Sequence, residues 1–173
     1  MTITDPARSD AGPTSRSLIR PLRPADRGAL LAILRATQVF SEDEVAVAME
    51  LIDAVLDRPD QRDYIIFAHE EGGAVQGYYC VGPTPATAST YDLYWIAVDP
   101  AVHGKGVGTA LNDHAEELIR SRGGRLIMVE TSSRKEYDPT RAFYRRRGYQ
   151  ELARVRDYYR PADDLVIFGK YLS

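Results

Sequence analysis

The stretch HGKGVGTA, residues 103–110, constrains the fold of this chain more than any other feature of its sequence. Gly104, Gly106 and Gly108 alternate with other residues, and Lys105 stands between the first two. The stretch follows a run that predicts a strand and opens a run with helical periodicity. Backbone N–H groups at a helix start favour a phosphate, and glycines remove the Cβ atoms that would block its approach. The sequence therefore predicts either a phosphate site or a tight strand–helix turn without a ligand.

Two common nucleotide-binding motifs fit this spacing poorly. A P-loop requires Gly-x-x-x-x-Gly-Lys-Ser/Thr. Here Lys105 is followed by Gly106, and Asp99 stands five residues before Gly104. A dinucleotide fingerprint requires Gly-x-Gly-x-x-Gly and an acidic residue about 20 positions later. The next predicted strand reaches an acidic residue only at Glu130. The P-loop is excluded, and the dinucleotide fingerprint is a weak match.

Periodicity and capping residues predict one domain around one large sheet. The predicted order of elements is β-α-α-β-β-β-α-β-α-β-β, which is typical of a mixed α/β or α+β domain. The second helix is expected to begin after Ser41, because Glu44 completes a capping box. The domain is expected over residues 17–173. Residues 1–16, rich in Ser, Thr, Asp, Pro and Gly, are expected to form a disordered leader.

Charge and cysteine content exclude several classes of function. The 22 basic and 25 acidic residues give a formal net charge of −3, which provides no attraction to nucleic acid. The single cysteine, Cys80, excludes an intrachain disulfide and a thiolate zinc cluster, and the three histidines are scattered, so no metal is expected. No apolar run predicts a membrane span, and the N-terminus lacks the apolar core of a secretory signal. A cytoplasmic protein is the expectation.

Two segments together resemble the GNAT superfamily of N-acetyltransferases. The segment IAVDPAVHGKGVGTALNDHAEELI, residues 96–119, is similar to that family's acetyl-CoA-binding pattern, Gln/Arg-x-x-Gly-x-Gly/Ala after a strand. His103 stands where the family usually has Gln or Arg. The segment TRAFYRRRGY, residues 140–149, is similar to a later helix of the family. It matches at Arg141 or Ala142, Tyr144, Gly148 and Tyr149.

The resemblance implies a fold and a cofactor site. The fold is a central twisted mixed sheet of six to seven strands, splayed between strands four and five, with about four helices. The pantetheine arm of acetyl-CoA would lie in that gap like an extra strand, and its pyrophosphate would bind N–H groups of the glycine loop, with a weakened contact at His103. The implied cofactor-binding residues are Ile96, Ala97, Val98, His103, Gly104, Lys105, Gly106, Val107, Gly108 and Thr109.

The resemblance also implies direct attack of a primary amine on the thioester, with no covalent enzyme intermediate. Tyr144 matches the family tyrosine beside the thioester sulfur and is the candidate proton donor. Glu130 and Asp92 are equal candidates for the base, since members of the superfamily carry a glutamate at similar strand positions. Each carboxylate could instead contact the amine or be a solvated strand residue. Alternation predicts that Asp92 shares a strand face with Tyr94, Ile96 and Val98.

The implied function is transfer of an acetyl group to the primary amine of a small metabolite. Acetylation of protein N-termini or lysines is an alternative with the same fold, and a catalytically silent acyl-CoA-binding module is another. The expected partner is thus a small-molecule amine, without nucleic acid or membrane, and a homodimer is compatible with the family. Candidates for the acceptor pocket, or alternatively for the sheet core, are Tyr78, Tyr79, Tyr91, Tyr94 and Trp95. Tyr158 and Tyr159 are weaker candidates.

Overall fold

The computed structural model describes residues 17–173, so the expected leader over residues 1–16 lies outside the described residues. The helices are α1 Arg27–Ala36, α2 Glu42–Asp57, α3 Val107–Ser121 and α4 Asp138–Arg146. The strands are β1 Leu18–Pro21, β2 Ile65–Glu71, β3 Ala74–Pro83, β4 Thr90–Val98, β5 Leu126–Ser132, β6 Gln150–Arg160 and β7 Asp163–Tyr171. Seven strands and four α-helices in this order confirm the predicted mixed α+β architecture. Helix α2 begins with the predicted capping box between Ser41 and Glu44.

The strands form one sheet in the order β1-β2-β3-β4-β5-β7-β6. Neighbouring strands are antiparallel except for β4 and β5, which are parallel. These two strands pair only where Thr90–Asp92 meets Leu126–Met128. From Leu93 onward β4 has β3 on one side and no strand on the other. The sheet therefore opens between strands four and five, as predicted.

Helices cover both faces of the sheet. Residues of α1 and α2, including Leu30 and Ile52, pack with Tyr78 of β3 on one face, called here the α2 face. Residues of α3 and α4, including Leu111, pack with Tyr79 on the opposite face, called here the α3 face. Because successive strand residues point to opposite faces, the two neighbouring tyrosines belong to two different halves of the core. Tyr91 packs against the α3-face cluster as well.

A β-bulge interrupts the alternation of β4. Cys80 of β3 pairs with Trp95, and the next residue, Val81, pairs with Leu93. Tyr94 is therefore an extra residue in β4 with no partner in β3. An extra residue reverses the faces to which the side chains beyond it point.

The bulge separates Asp92 from the residues with which it was expected to share a face. Leu93 belongs to the α3-face cluster, and Ile96 and Val98 pack against the same cluster. Asp92, which precedes Leu93, points to the α2 face, as does Met128, its register partner in β5. The predicted common face of Asp92, Ile96 and Val98 is wrong, because alternation along one strand does not reveal an inserted residue.

A buried polar network ties α3 to β7. The Lys170 ammonium lies 2.8 Å from both carboxylate oxygens of Glu116 and donates to the Arg147 carbonyl at 2.8 Å. Asn112 Nδ2 donates to Glu116 at 2.7 Å, and the Asn112 carbonyl oxygen accepts from the Tyr149 hydroxyl at 3.2 Å. The network fixes α3, which begins in the glycine loop, against the far side of the sheet gap.

We expect Lys170→Met to lower the free energy of unfolding by about 3–5 kcal/mol. The substitution leaves the Glu116 carboxylate, whose side chain is 9% exposed, without its cation. Urea denaturation measures the loss. The double variant Lys170→Met/Glu116→Leu removes both charges and should recover most of the stability. A double variant whose loss equals the sum of the two single losses would contradict direct pairing.

Candidate active site

A cavity of about 980 Å³ opens where β4 and β5 diverge. Its wall includes Asp92 and Glu130, which point to the α2 face, and Thr140 and Tyr144 of α4, which covers the α3 face. The cavity therefore passes through the gap in the sheet. All three predicted catalytic residues lie in its wall.

Tyr144 is a buried phenol with an unpaired hydroxyl. Its side chain is 3% exposed, and its ring packs 5.3 Å from that of Tyr149 and 6.1 Å from that of Phe168, measured between centroids. The hydroxyl makes no hydrogen bond to another residue in the described part of the chain. Burial raises the pKa of Tyr144 well above its usual value. The phenol is therefore protonated at neutral pH and can donate to an anion that forms in the cavity.

Two carboxylates face this phenol from the α2 side. Asp92 accepts a hydrogen bond from Thr84 Oγ1 at 2.7 Å. Burial, together with the charge of Asp92, raises the pKa of Tyr94 to about 12. Glu130 lies two residues beyond the β5 partner of Asp92, on the same face of the sheet. Burial, and then the charge of Glu130, raises the pKa of Tyr159 to about 12.

The main chain of β4 presents free groups to the gap. The Asp99 N–H donates to the Gln76 carbonyl at 2.8 Å. Because hydrogen-bonded and non-hydrogen-bonded pairs alternate in an antiparallel ladder, Ala97 exchanges hydrogen bonds with Tyr78. Ile96 and Val98 then direct their N–H and C=O groups away from β3. Of the three predicted β4 residues, Ile96 and Val98 are placed to bind an extended chain through their backbone, and Ala97 is engaged within the sheet.

The glycine loop has the geometry of an anion site. Gly104 and Gly106 have φ angles of +79° and +85°, in the left-handed region that glycine tolerates best, and Gly106 is the N-cap of α3. The Lys105 N–H donates to the Val102 carbonyl at 3.2 Å. Five other N–H groups have no acceptor among the described residues, and they point out of the helix start. These belong to Gly104, Gly106, Val107, Gly108 and Thr109.

His103 is already engaged with the end of β4. Its Nε2 lies 3.1 Å from the Val98 carbonyl oxygen, which can only accept, so Nε2 carries the hydrogen. In the neutral ring, Nδ1 then carries a lone pair instead of a hydrogen, so it cannot donate a hydrogen bond to a phosphate. Because the Val98 carbonyl accepts from His103, it is less available to a ligand in the gap. The Val98 N–H remains without a partner among the described residues.

Aromatic side chains form much of the remaining wall. Tyr94 and Trp95 lie in it, as the sequence allowed, and so does Tyr159, whereas Tyr158 does not. Tyr64 packs 5.4 Å from Tyr94 between ring centroids. Sequence reasoning missed three further aromatic wall residues: Phe40, Tyr64 and Tyr137. An apolar residue before a capping box predicts a hydrophobic staple, so Phe40 carried no signal for a pocket.

Neither a metal site nor a membrane-spanning helix is seen among residues 17–173. In this range, no group of three or more His, Cys, Asp or Glu side chains could hold a metal ion. Over the same residues, no helix is both long and apolar enough to cross a membrane.

Comparison with known proteins extends these observations. A family profile described as an acetyltransferase (GNAT) domain matches residues 61–151, more than half of the chain. The N-alpha-acetyltransferase RimI of Mycobacterium tuberculosis is 35% identical over 92 residues, which cover 51% of this chain and 54% of that protein. The mycothiol acetyltransferase of Beutenbergia cavernae is 36% identical over 66 residues, 38% of this chain and 22% of that protein. The chain thus spans less than two thirds of either relative.

A solved structure matches over nearly the whole described region. The crystal structure of a GNAT-family protein from Desulfovibrio desulfuricans is 36% identical, with a TM-score of 0.84. The match covers 91% of this chain and 100% of that one. The similarity therefore includes the open sheet, the glycine loop and α4 in one arrangement.

Proposed function

Because the chain belongs to the GNAT acetyltransferase family, we propose that it transfers an acetyl group from acetyl-CoA to a primary amine of a small molecule. The reaction is assigned to a single domain over residues 17–173. The observation that carries the proposal is the cavity through the sheet gap. It places the buried phenol of Tyr144 on one side, and Asp92 and Glu130 on the other.

The donor side of the gap suits acetyl-CoA. The free backbone groups of Ile96 and Val98 would bind the pantetheine amides as an added strand, which holds the thioester beside Tyr144. The five unpaired N–H groups of the glycine loop would bind the pyrophosphate, with the α3 dipole behind them. Lys105, exposed on the same loop, adds a positive charge.

The catalytic side chains have complementary tasks. Asp92 or Glu130 takes a proton from the amine, directly or through water, so that the nitrogen lone pair can attack the thioester carbon. The C–N bond forms, the C–S bond breaks, and the sulfur leaves with the bonding pair. Tyr144 delivers its proton to that sulfur and recovers one from solvent. Alignment of amine and thioester in one cavity supplies much of the rate enhancement.

The far end of the cavity favours a small acceptor over a protein chain. Arg134 of the β5–α4 connection lies 3.8 Å from Glu44 of α2 and 3.5 Å from Asp163 of β7. The Tyr137 hydroxyl donates to Glu44 at 2.9 Å. These contacts bridge α2 and the β6–β7 hairpin, between which an extended peptide would have to lie.

Release of free thiol tests the proposal. The protein is incubated with acetyl-CoA and a set of primary amines, and CoA release is followed colorimetrically, with thermal denaturation as a binding assay. We expect amine-dependent release. Stabilisation by acetyl-CoA without any amine-dependent release would identify the silent acyl-CoA-binding module instead. Acetylation of peptide N-termini in preference to all small amines would favour the protein acetyltransferase.

We expect His103→Gln to strengthen acetyl-CoA binding by about fivefold. His103 Nε2 already donates to the Val98 carbonyl, and the neutral ring in this tautomer has no second N–H to offer a phosphate. A glutamine amide has two N–H donors, so one can bind the pyrophosphate while the other keeps the contact with Val98.

Calorimetric titration of acetyl-CoA into wild type and His103→Gln measures this effect. Lys105 is present in both proteins, so its charge does not contribute to the difference. Equal affinity in the two proteins would contradict a pyrophosphate contact at position 103.

A further inference from the structure

We propose that the acceptor is a small dication, an amine that carries a second positively charged group. This inference rests on the proposed function and names the class of molecule that enters the α2 side of the cavity. Three features carry it: the charge of the wall, its aromatic surface and the unpaired indole N–H of Trp95.

The wall contains more acid than its own cations neutralise. Five carboxylates and two guanidinium groups line the cavity. Arg134 lies within ion-pair distance of Glu44 and Asp163, and Arg160 lies 3.5 Å from Asp163. The two arginines therefore pair with two of the five carboxylates, Glu44 and Asp163. Within residues 17–173, the other three make no salt bridge: Asp43, Asp92 and Glu130.

The reaction itself accounts for only part of this charge. One carboxylate suffices as the base, and a second can orient the amine. Asp43 stands in the first turn of α2, outside β4 and β5, and takes part in neither task. Asp43 and Glu130 are exposed, so solvent screens their repulsion, but the unpaired carboxylates keep this wall negative. A negative wall attracts an acceptor with two positive charges more strongly than a monoamine.

The aromatic wall suits the same ligand. Trp95 packs 5.4 Å from Phe40 between ring centroids, and Tyr64 forms a similar pair with Tyr94. Faces of aromatic rings attract cations, most strongly where water is excluded. An acceptor with an anionic group, such as an α-amino acid, would meet no free cation among the described residues of this wall.

One polar atom on the α2 side of the wall has no partner among the described residues. The indole N–H of Trp95 is buried and unpaired. Buried polar groups in folded proteins are almost always satisfied, so this donor indicates that a ligand or its water occupies this side of the cavity. A neutral amine nitrogen, or a water that solvates an ammonium group, can accept from it.

Two amines of equal length test the proposal. Acetyl-CoA is held at saturation, and thiol release is compared for 1,4-diaminobutane and 1-aminobutane, which share the reacting amine. We expect kcat/KM to be about tenfold higher for the diamine, a difference of 1.4 kcal/mol. Asp43→Asn should reduce this ratio to about twofold, since Asp43 holds the second charge.

Glu42→Gln is the matched control. Glu42 is the neighbouring acid of α2, has a side chain 77% exposed, pairs with Arg35 and does not line the cavity, so its loss should preserve the ratio. A wild-type ratio near one overturns the dication and leaves the proposed function intact. Preference for an amino acid or a peptide amine overturns it as well. Absence of thiol release with every amine contradicts the proposed function itself.

Discussion

Tyr144→Phe is expected to lower kcat by about 10²-fold or more while changing the affinity for acetyl-CoA less than about twofold. Tyr144 lines the cavity, and its hydroxyl makes no hydrogen bond to any residue of 17–173, so its loss should remove only the proton that the leaving thiolate would receive. Steady-state kinetics and a thermal shift with acetyl-CoA measure the two quantities separately. A variant with wild-type turnover would show that the thiolate leaves without this donor.

Tyr149→Phe provides the control for this substitution. Tyr149 is also a buried tyrosine and packs against Tyr144, but its hydroxyl donates to Asn112 in the network with Glu116 and Lys170. We expect its removal to cost stability and to leave turnover nearly unchanged.

Because burial raises the pKa of Tyr144, the donor remains protonated past the usual tyrosine range. The wild-type rate should therefore show no loss of this donor below about pH 10.

Glu130→Gln and Asp92→Asn are expected to separate the base from its neighbour. Loss of the base should lower kcat/KM by about 10²-fold, because the amine is then deprotonated only by solvent. The other variant should lose less activity. The hydrogen bond from Thr84 orients Asp92, whereas Glu130 has no side-chain partner in the described residues, so the two need not respond equally.

Glu136→Gln removes an exposed carboxylate that lies near the site in sequence but outside the cavity wall. It should match the wild type in kcat/KM. If Glu130→Gln and Asp92→Asn each retain more than about half of the activity, neither carboxylate is the base. The amine would then lose its proton to water alone.

Local sequence was sufficient for the fold and for the elements that carry the glycine loop and Tyr144. The glycine loop, the capping box at Ser41 and the helix around Tyr144 are each determined by residues within a few positions of one another. The two segments that resemble the family also follow one another along the chain in the order that the family has. The architecture, the open sheet and the family could therefore be predicted from short stretches of residues.

The acceptor side was not predictable, because its contacts join distant parts of the chain. The Tyr137 hydroxyl meets Glu44 across 93 residues, and Arg134 joins the same glutamate to Asp163. Nothing in the local sequence of α2 distinguishes Asp43 from an ordinary acidic residue in a first helical turn. The bulge at Tyr94 depends on the register with β3, which the sequence of β4 alone does not contain.

That bulge shifts the alternation of side chains along β4 by one residue at Tyr94. Before Tyr94 the strand directs the Asp92 carboxylate to the α2 face, and after it the strand directs free backbone groups to the gap and the side chains of Ile96 and Val98 to the α3 face. Selection for a new acceptor can therefore alter the first half of the strand without disturbing the second. Deleting Tyr94 would restore regular pairing with β3 and keep Asp92 and Ile96 on opposite faces, whereas a straightened strand that retained Tyr94 would turn Asp92 to the face of Ile96 and Val98.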